Sequence, residues 1–181
     1  MQKFLARMKP AGQRPPGKPI REIAWSWLGA FSGIFFVGWL GEKLHLDQSA
    51  LFLIGSFGAS AVLVYGAPQA ELAQPRNLIG GHLVSALTGV SMALFFRDNP
   101  LLAASFAVSL AIVVMHLTRT LHPPGGATAL IAVIGGEKVH ALGYWYALNP
   151  VLVGALIMLL VALLVNNLSA DPKRHYPVYW L

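Results

Sequence analysis

Cysteine and charge are what this sequence most lacks. None of the 181 residues is cysteine, which excludes disulfides, thiolate catalysis and cysteine-ligated metals. Charged side chains make up 11% of the chain, whereas soluble domains carry about 25%. Because 56% of the residues are hydrophobic, so few charges cannot build a polar surface around the core that they would form. The composition therefore predicts a membrane protein.

Charge is also absent from long uninterrupted stretches. About 20 apolar residues are needed to cross the hydrocarbon core as a helix, and four stretches reach or approach that length. Two others are shorter or interrupted by glycine. We therefore predict an all-α polytopic membrane protein with four to six membrane segments. The stretches without Asp, Glu, Lys or Arg are 23–41, 49–70, 77–96, 101–118, 120–136 and 150–170.

Both ends of the chain are basic. Positive segments next to a span are retained in the cytoplasm, so we predict a multi-pass protein of the cell inner membrane with both termini cytoplasmic. A nucleic-acid-binding arm is the competing interpretation, and the position directly before a span argues against it. Tyr144, Trp145, Tyr146 and Tyr176 cluster at the ends of the last stretch, which is typical of the membrane interfaces.

The chain reads as two similar halves. The run Gly58-Ala59-Ser60-Ala61-Val62-Leu63 resembles Gly126-Ala127-Thr128-Ala129-Leu130-Ile131, and in each half a long apolar stretch comes before it and another after it. We predict two repeats of span, glycine-interrupted or half-helix segment, and span. The predicted parts are a basic, proline-rich arm, two membrane repeats and a basic, aromatic tail, at 1–22, 23–97, 101–170 and 171–181.

Two topologies fit such repeats. If the interrupted segments cross the membrane, six segments form an inverted repeat. If they are re-entrant, four segments cross and the repeat is parallel. The loop charges slightly favour six. Small residues spaced four apart, such as Gly29 and Gly33, predict close helix packing within the chain or in a homo-oligomer.

The segment His122 to Thr128 is the strongest candidate for a functional site. Its two prolines remove backbone donors, and proline favours the first turn of a helix. We predict a helix that begins inside the membrane near Pro123 or Pro124 and runs to about Ile134. The N–H groups and the positive dipole end of such a helix can bind an anion. The predicted binding residues here are His122, Pro123, Pro124, Gly125, Gly126, Ala127 and Thr128.

Other candidates lie in the first half and in the loops. A second helix start around Gly58 would add a second positive end, although a plain kink is the alternative. Ionisable groups within membranes are rare and tend to be functional, and a histidine at such a place can contact an anion or carry a proton. The further predicted binding residues are Gly58, Ala59, Ser60, Arg76, Asn77, His82 and Arg119.

Enzymatic and metal chemistry are poorly supported. The seven acidic residues lie outside the apolar stretches and form no close pair for acid–base catalysis. The sequence has no H-E-x-x-H motif and no nucleophile elbow. We therefore predict neither an enzyme nor a metal or other cofactor.

The motifs resemble those of a known family. The run from His122 to Leu130 is similar to the signature of the HPP family of integral membrane proteins, and 55–62 is similar to its other marked stretch. The likeness extends over about 23–168. It implies a small bundle of four transmembrane helices, which favours re-entrant segments, and nitrite transport in some members.

Two functions follow as hypotheses. The first is a transporter or channel for a small inorganic anion, nitrite by the resemblance, with the lipid bilayer as its other partner and no nucleic acid. The second is a membrane scaffold or sensor that acts through its basic N-terminal arm, without transport.

Overall fold

The computed structural model describes residues 2–10, 12–43 and 54–181, and its regular elements there are all helical. This confirms the predicted all-α membrane fold. A π-helical stretch, Ala147–Leu152, leads into the last helix, and 3₁₀ turns lie at Glu71–Ala73 and Pro172–Arg174. The α-helices are α1 Gln2–Ala6, α2 Ile20–Lys43, α3 Gly55–Gly66, α4 Pro75–Phe95, α5 Pro100–Leu117, α6 Pro123–Ile134, α7 Gly136–Leu142 and α8 Val153–Leu168.

Among the described residues, four helical runs are long and apolar enough to cross a membrane: α2, α4, α5 and the continuous run Ala147–Leu168. The helices α3 and α6 are apolar but have only 12 residues each. At 1.5 Å per residue each is about 18 Å long, against a hydrocarbon core of about 30 Å. The described part of the bundle therefore has four segments of spanning length and two half-length helices, as the predicted range of four to six allows.

Hydrogen bonds connect the ends of several helices on one side of the bundle, which we call the first face. Lys18 Nζ, before α2, donates to the Gly66 carbonyl at the end of α3, 2.8 Å away. Arg76 Nη2 in the first turn of α4 donates to the Thr118 carbonyl after α5 at 2.9 Å. Arg174, after α8, donates to Glu22 of α2. Both chain ends of the bundle thus lie at the first face.

The opposite ends of the helices form the second face. Ser91 near the end of α4 and Tyr144 after α7 share a hydrogen bond of 3.0 Å between their hydroxyls. Because α6 begins beside the first-face loop 118–122 and ends at α7, the second half of the chain returns to the second face through α6. The repeat and its inverted form stay predictions, since the predicted stretch 49–70 begins outside the described residues.

Proline explains where three helices begin. Pro75, Pro100 and Pro123 each occupy the first turn, where a missing N–H leaves no hydrogen bond unmade. The predicted helix from Pro123 to Ile134 is confirmed. Asn149 breaks the helical backbone before α8, with φ −136° and ψ 114°.

The small-residue faces pack within the chain. A Cβ added to Gly29 would lie 2.7 Å from the ring of Tyr65, so α2 and α3 approach closely there. Ala103, Ala107 and Ala111 of α5 are buried in a cluster with Ala129 of α6. Because these faces are already filled, the predicted homo-oligomer would need a different surface.

Candidate functional site

The loop into α6 is held by hydrogen bonds from α4. Asn77 Nδ2 donates to the Leu121 carbonyl at 2.8 Å, beside the bond from Arg76 to Thr118 described above. Arg119 has φ 55°, in the left-handed region, and closes α5 with bonds from Arg119 N to His116 O and from Thr120 N to Met115 O. The predicted residues Arg76, Asn77 and Arg119 therefore shape this loop.

The start of α6 differs from the prediction in one respect. Pro123 and Pro124 have no N–H, and Gly125 N donates to the His122 carbonyl at 2.8 Å. The first three positions of the helix thus have no N–H left for a ligand. The expectation that free backbone donors bind an anion here is wrong, because the prolines remove the donors that a helix start normally exposes. The side chains around the helix start carry the polar chemistry instead.

Four of those side chains form one buried chain of hydrogen bonds across α3, α4 and α6. His122 Nδ1 lies 2.8 Å from the carbonyl of Leu72, and its Nε2 lies 2.9 Å from Ser60 Oγ. Ser60 Oγ is also 2.7 Å from His82 Nε2. His82 Nδ1 is in turn 2.7 Å from Thr128 Oγ1. We call these four residues the polar chain; each of them has 0% exposed surface.

The carbonyl of Leu72 determines the direction of these bonds. A carbonyl oxygen only accepts, so His122 Nδ1 carries a hydrogen and, in the neutral ring, Nε2 accepts from the Ser60 hydroxyl. Ser60 Oγ then accepts from His82 Nε2, and His82 Nδ1 accepts from the Thr128 hydroxyl. The tautomers assigned in this way make each of these four contacts a hydrogen bond.

The neighbours of the polar chain are close and mostly apolar. A Cβ added to Gly81 would lie 2.5 Å from His122 Cβ and 2.7 Å from the Thr120 carbonyl, so α4 approaches His122 closely at this glycine. The ring of Phe57 packs edge-on against His82, with centroids 5.4 Å apart. This ring lies in the first turn of α3, so an apolar side chain from that helix start covers part of His82.

The predicted site residues therefore divide into three groups. Ser60, His82, His122 and Thr128 come together, and Pro124 contributes a carbonyl 3.3 Å from Thr128 Oγ1. Gly125 is buried against Ser85. The remaining predicted residues do not belong to the polar chain, because they shape the loop or lie outside the buried core. They are Gly58, Ala59, Arg76, Asn77, Arg119, Pro123, Gly126 and Ala127.

Gly58 is informative among these. A second helix start in the first half is confirmed, since α3 begins at Gly55. However, a Cβ added to Gly58 would meet nothing within 4 Å, and one added to Gly126 would come no closer than 3.8 Å to Val108. Gly58 lies in the helix that begins after Ile54, so the segment is a helix start and not the plain kink considered as the alternative. Neither Gly58 nor its counterpart Gly126 is therefore needed for close packing within this chain, in contrast to Gly125.

Two contributors were missed. The carbonyl of Leu72 ends the polar chain, and no side-chain pattern marks a backbone carbonyl. Tyr146 was assigned to the membrane interface, but it is fully buried and its hydroxyl donates to the Thr128 carbonyl at 3.2 Å. Composition does not reveal that Tyr146 is buried while its neighbours Tyr144 and Trp145 are exposed.

The C-terminal tail lies over the turn that presents Leu72. Tyr176 Oη donates to the Ala73 carbonyl at 2.9 Å, and Val178 N donates to Gln74 Oε1 at 2.8 Å. Tyr176 is buried here, which corrects its predicted place at the membrane interface. Burial raises the pKa of the Tyr176 hydroxyl, so it stays a donor at physiological pH. The tail thereby closes the first face above the polar chain.

A cavity of about 390 Å³ opens at the second face between α4, α5, α6 and α7. Its ionisable lining residues are Arg97 and His140, neither of which was predicted as a site. Ala132, also in its lining, lies one helical turn from Thr128 on the same side of α6. Gly89 and Ala129 are in close contact between the cavity and the polar chain.

Comparison with known proteins supports one assignment. A family model described as "HPP, transmembrane region" matches residues 15–177. Two proteins of Dictyostelium discoideum, both named as transmembrane proteins, are similar. One is 46% identical over 180 residues, 98% of this chain and 57% of its own length. The other is 48% identical over 171 residues, 93% of this chain and 59% of its own length.

The chain thus spans less than two thirds of either relative. No solved structure matches it. The extent of the family match and the identity to both relatives lead to the same conclusion. This chain belongs to the HPP transmembrane family.

Proposed function

We propose that this protein is a transporter or channel for a small inorganic anion, with nitrite as the first candidate from the family resemblance. The observation that carries the proposal is the polar chain itself. Two imidazoles and two hydroxyls lie fully buried between two half-length helices and a spanning helix. Polar and ionisable groups at this depth are costly and tend to be functional. Half-length helices that meet inside a membrane bundle are typical of transporter sites.

The chemistry of the chain suits a small anion. When the chain opens, the hydrogens that its N–H and O–H groups now donate within the chain become available to the oxygens of an ion such as nitrite. The chain contains no lysine or arginine that would hold the ion too tightly to leave. Arg97 and His140 at the second-face cavity would attract an anion from solution.

The position of the cavity indicates the order in which an ion would reach and leave the polar chain. It is open at the second face and stops one turn of α6 short of Thr128, where Gly89 and Ala129 touch. On the other side, the tail and the turn with Leu72 cover the polar chain. An ion would pass from the cavity to the polar chain when α4 and α6 separate at Gly89, and leave when the first face opens.

The test is nitrite flux into liposomes that contain the purified protein. We expect faster entry than in protein-free liposomes, competition by other small anions and no change in glycerol entry. Thr128→Val keeps the shape but leaves His82 Nδ1 without a partner, a loss of about 1–3 kcal/mol, so flux should fall about tenfold or more. Thr88→Val is the matched control, because the Thr88 hydroxyl bonds only within its own helix.

Equal entry with and without the protein would refute the proposal. The alternative, a membrane scaffold that acts through its N-terminal arm, is then favoured. Removal of residues 1–17 distinguishes a scaffold from a transporter. This deletion stops before Lys18, whose bond to Gly66 is part of the bundle. A transporter keeps its flux without the arm, whereas a scaffold loses its partner.

A further inference from the structure

The polar chain has fewer hydrogens than contacts. It ends at two carbonyls, Leu72 at one end and Pro124 at the other, and both only accept. Between them the chain makes five contacts, of 2.8, 2.9, 2.7, 2.7 and 3.3 Å. When both imidazoles are neutral, the four side chains carry four hydrogens. One contact must therefore lack a hydrogen, and the one at 3.3 Å, between Thr128 and Pro124, is the longest.

We propose that the polar chain is a binding site for one proton, which reverses the chain as it binds. One added proton gives five hydrogens for five contacts. Thr128 then donates to Pro124, His82 donates from Nδ1 to Thr128, and Ser60 donates to His82 Nε2. His122 donates from both nitrogens, to Ser60 and to Leu72. A second proton would leave a donor without an acceptor, so the stoichiometry is one.

The transfer balances link by link. A proton from hydronium binds Thr128 Oγ1 while the old hydroxyl hydrogen passes to His82 Nδ1. The hydrogen on His82 Nε2 passes to Ser60 Oγ, and the old Ser60 hydrogen passes to His122 Nε2. Only N–H and O–H bonds form and break, and water is left behind by the hydronium. The positive charge appears on His122, because its Nδ1 already donates to Leu72.

The ionisable side chains that border the chain do not compete for this proton. Glu71 and Arg76 flank Leu72 at the first face, where Glu71 is exposed and Arg76 donates to Thr118. Tyr146 donates to the backbone of Thr128. From α5, His116 is exposed and bonds to none of the four, and α8 contains no ionisable residue. In the part of the chain that the structure describes, no carboxylate is hydrogen-bonded to the polar chain.

This inference rests on the proposed function for its meaning, since a charged His122 would accompany the anion and make the pair neutral. Its test does not need transport. Protein with ¹⁵N-labelled histidine in liposomes is examined by NMR across a pH titration, with His82 and His122 assigned from His82→Gln and His122→Gln spectra. At high pH we expect hydrogen on His122 Nδ1 and on His82 Nε2. At low pH we expect both nitrogens of His122 to carry hydrogen, and the His82 hydrogen to have moved to Nδ1.

The two changes should occur together, in one step with one proton. Ser60→Ala removes the link, so His122 should change without His82. Ser56→Ala is the matched control: Ser56 lies one turn away on α3, is equally buried and has no hydrogen-bond partner among the described residues. It should leave the joint step intact.

A His82 that keeps hydrogen on Nε2 at low pH in the unaltered protein overturns the inference, as does a His82 that becomes doubly protonated. Both results are read from the unaltered protein, and the Gln variants serve only to assign its signals. Anion flux measured on the same liposomes reports on the proposed function separately. Flux without the tautomer change refutes the proton site alone, and the tautomer change without flux refutes the transport alone.

Discussion

Adjacent glycines in α6 allow a sharp test of the packing around the site. A Cβ at Gly125 would lie 2.7 Å from Ser85 Oγ, 2.8 Å from the Gly81 carbonyl and 3.0 Å from Met115 Sδ. The Gly81 contact involves backbone and cannot be relieved by a side-chain rotation. A Cβ at Gly126 would be in ordinary contact, 3.8 Å from Val108. The same substitution at neighbouring positions should therefore have opposite effects.

The magnitudes follow from two opposing terms. Alanine is favoured over glycine inside a helix by about 0.5–1 kcal/mol. Overpacking costs about 1–3 kcal/mol. Gly126→Ala should be neutral or stabilising, whereas Gly125→Ala should be destabilising, by roughly 1–2 kcal/mol on balance. At about 2–4 °C per kcal/mol for a chain of this size, the two melting temperatures should differ by roughly 5–10 °C.

The assay is thermal unfolding of both variants in the same detergent, followed by tryptophan fluorescence. Identical melting temperatures would contradict the close approach of α4 and α6 at Gly125. The reverse order would show that the motif's second glycine, and not its first, is the packing residue. Either result would also contradict the packing of α4 against α6 that brings the residues of the polar chain together.

Two more predictions concern the edges of the site. Arg119→Gly removes the strain of a left-handed backbone at a residue with a side chain and should stabilise the protein by about 1 kcal/mol, which would raise the melting temperature. A lower melting temperature would mean that the arginine side chain is needed. Arg174→Gln removes the ion pair of 3.1 Å with Glu22 and should destabilise the protein by about 3 kcal/mol, because the carboxylate stays buried. An unchanged melting temperature would show that water replaces the guanidinium.

The sequence predicted the members of the polar chain well and their connections poorly. His82 and His122 were predicted because ionisable groups are rare within apolar stretches and tend to be functional. Ser60 and Thr128 were predicted because they belong to the two glycine-containing segments where helices were expected to begin. Which of them bond to one another depends on how α3, α4 and α6 pack, and spacing along the chain does not encode that. The Leu72 carbonyl, which sets the direction of the bonds, has no side-chain signature at all.

The prolines show a different limit of prediction from the sequence. Pro123 correctly predicted where α6 begins, because a fixed φ and a missing N–H suit the first turn. The same missing N–H groups argue against the backbone anion site that was predicted with them. Composition likewise could not separate Tyr146 from Tyr144, since one hydroxyl meets the Thr128 carbonyl and the other meets Ser91 near the second face.

If the buried polar chain serves the passage of a small anion, the loss of one of its links must slow that passage. The most direct measurement is the initial rate of nitrite entry into liposomes with the unaltered protein, with Thr128→Val and with Thr88→Val at equal reconstituted amounts. We predict rapid entry for the unaltered protein and Thr88→Val, and a rate about tenfold or more lower for Thr128→Val. Equal rates for the two variants, or a rate no higher than in empty liposomes, would contradict it.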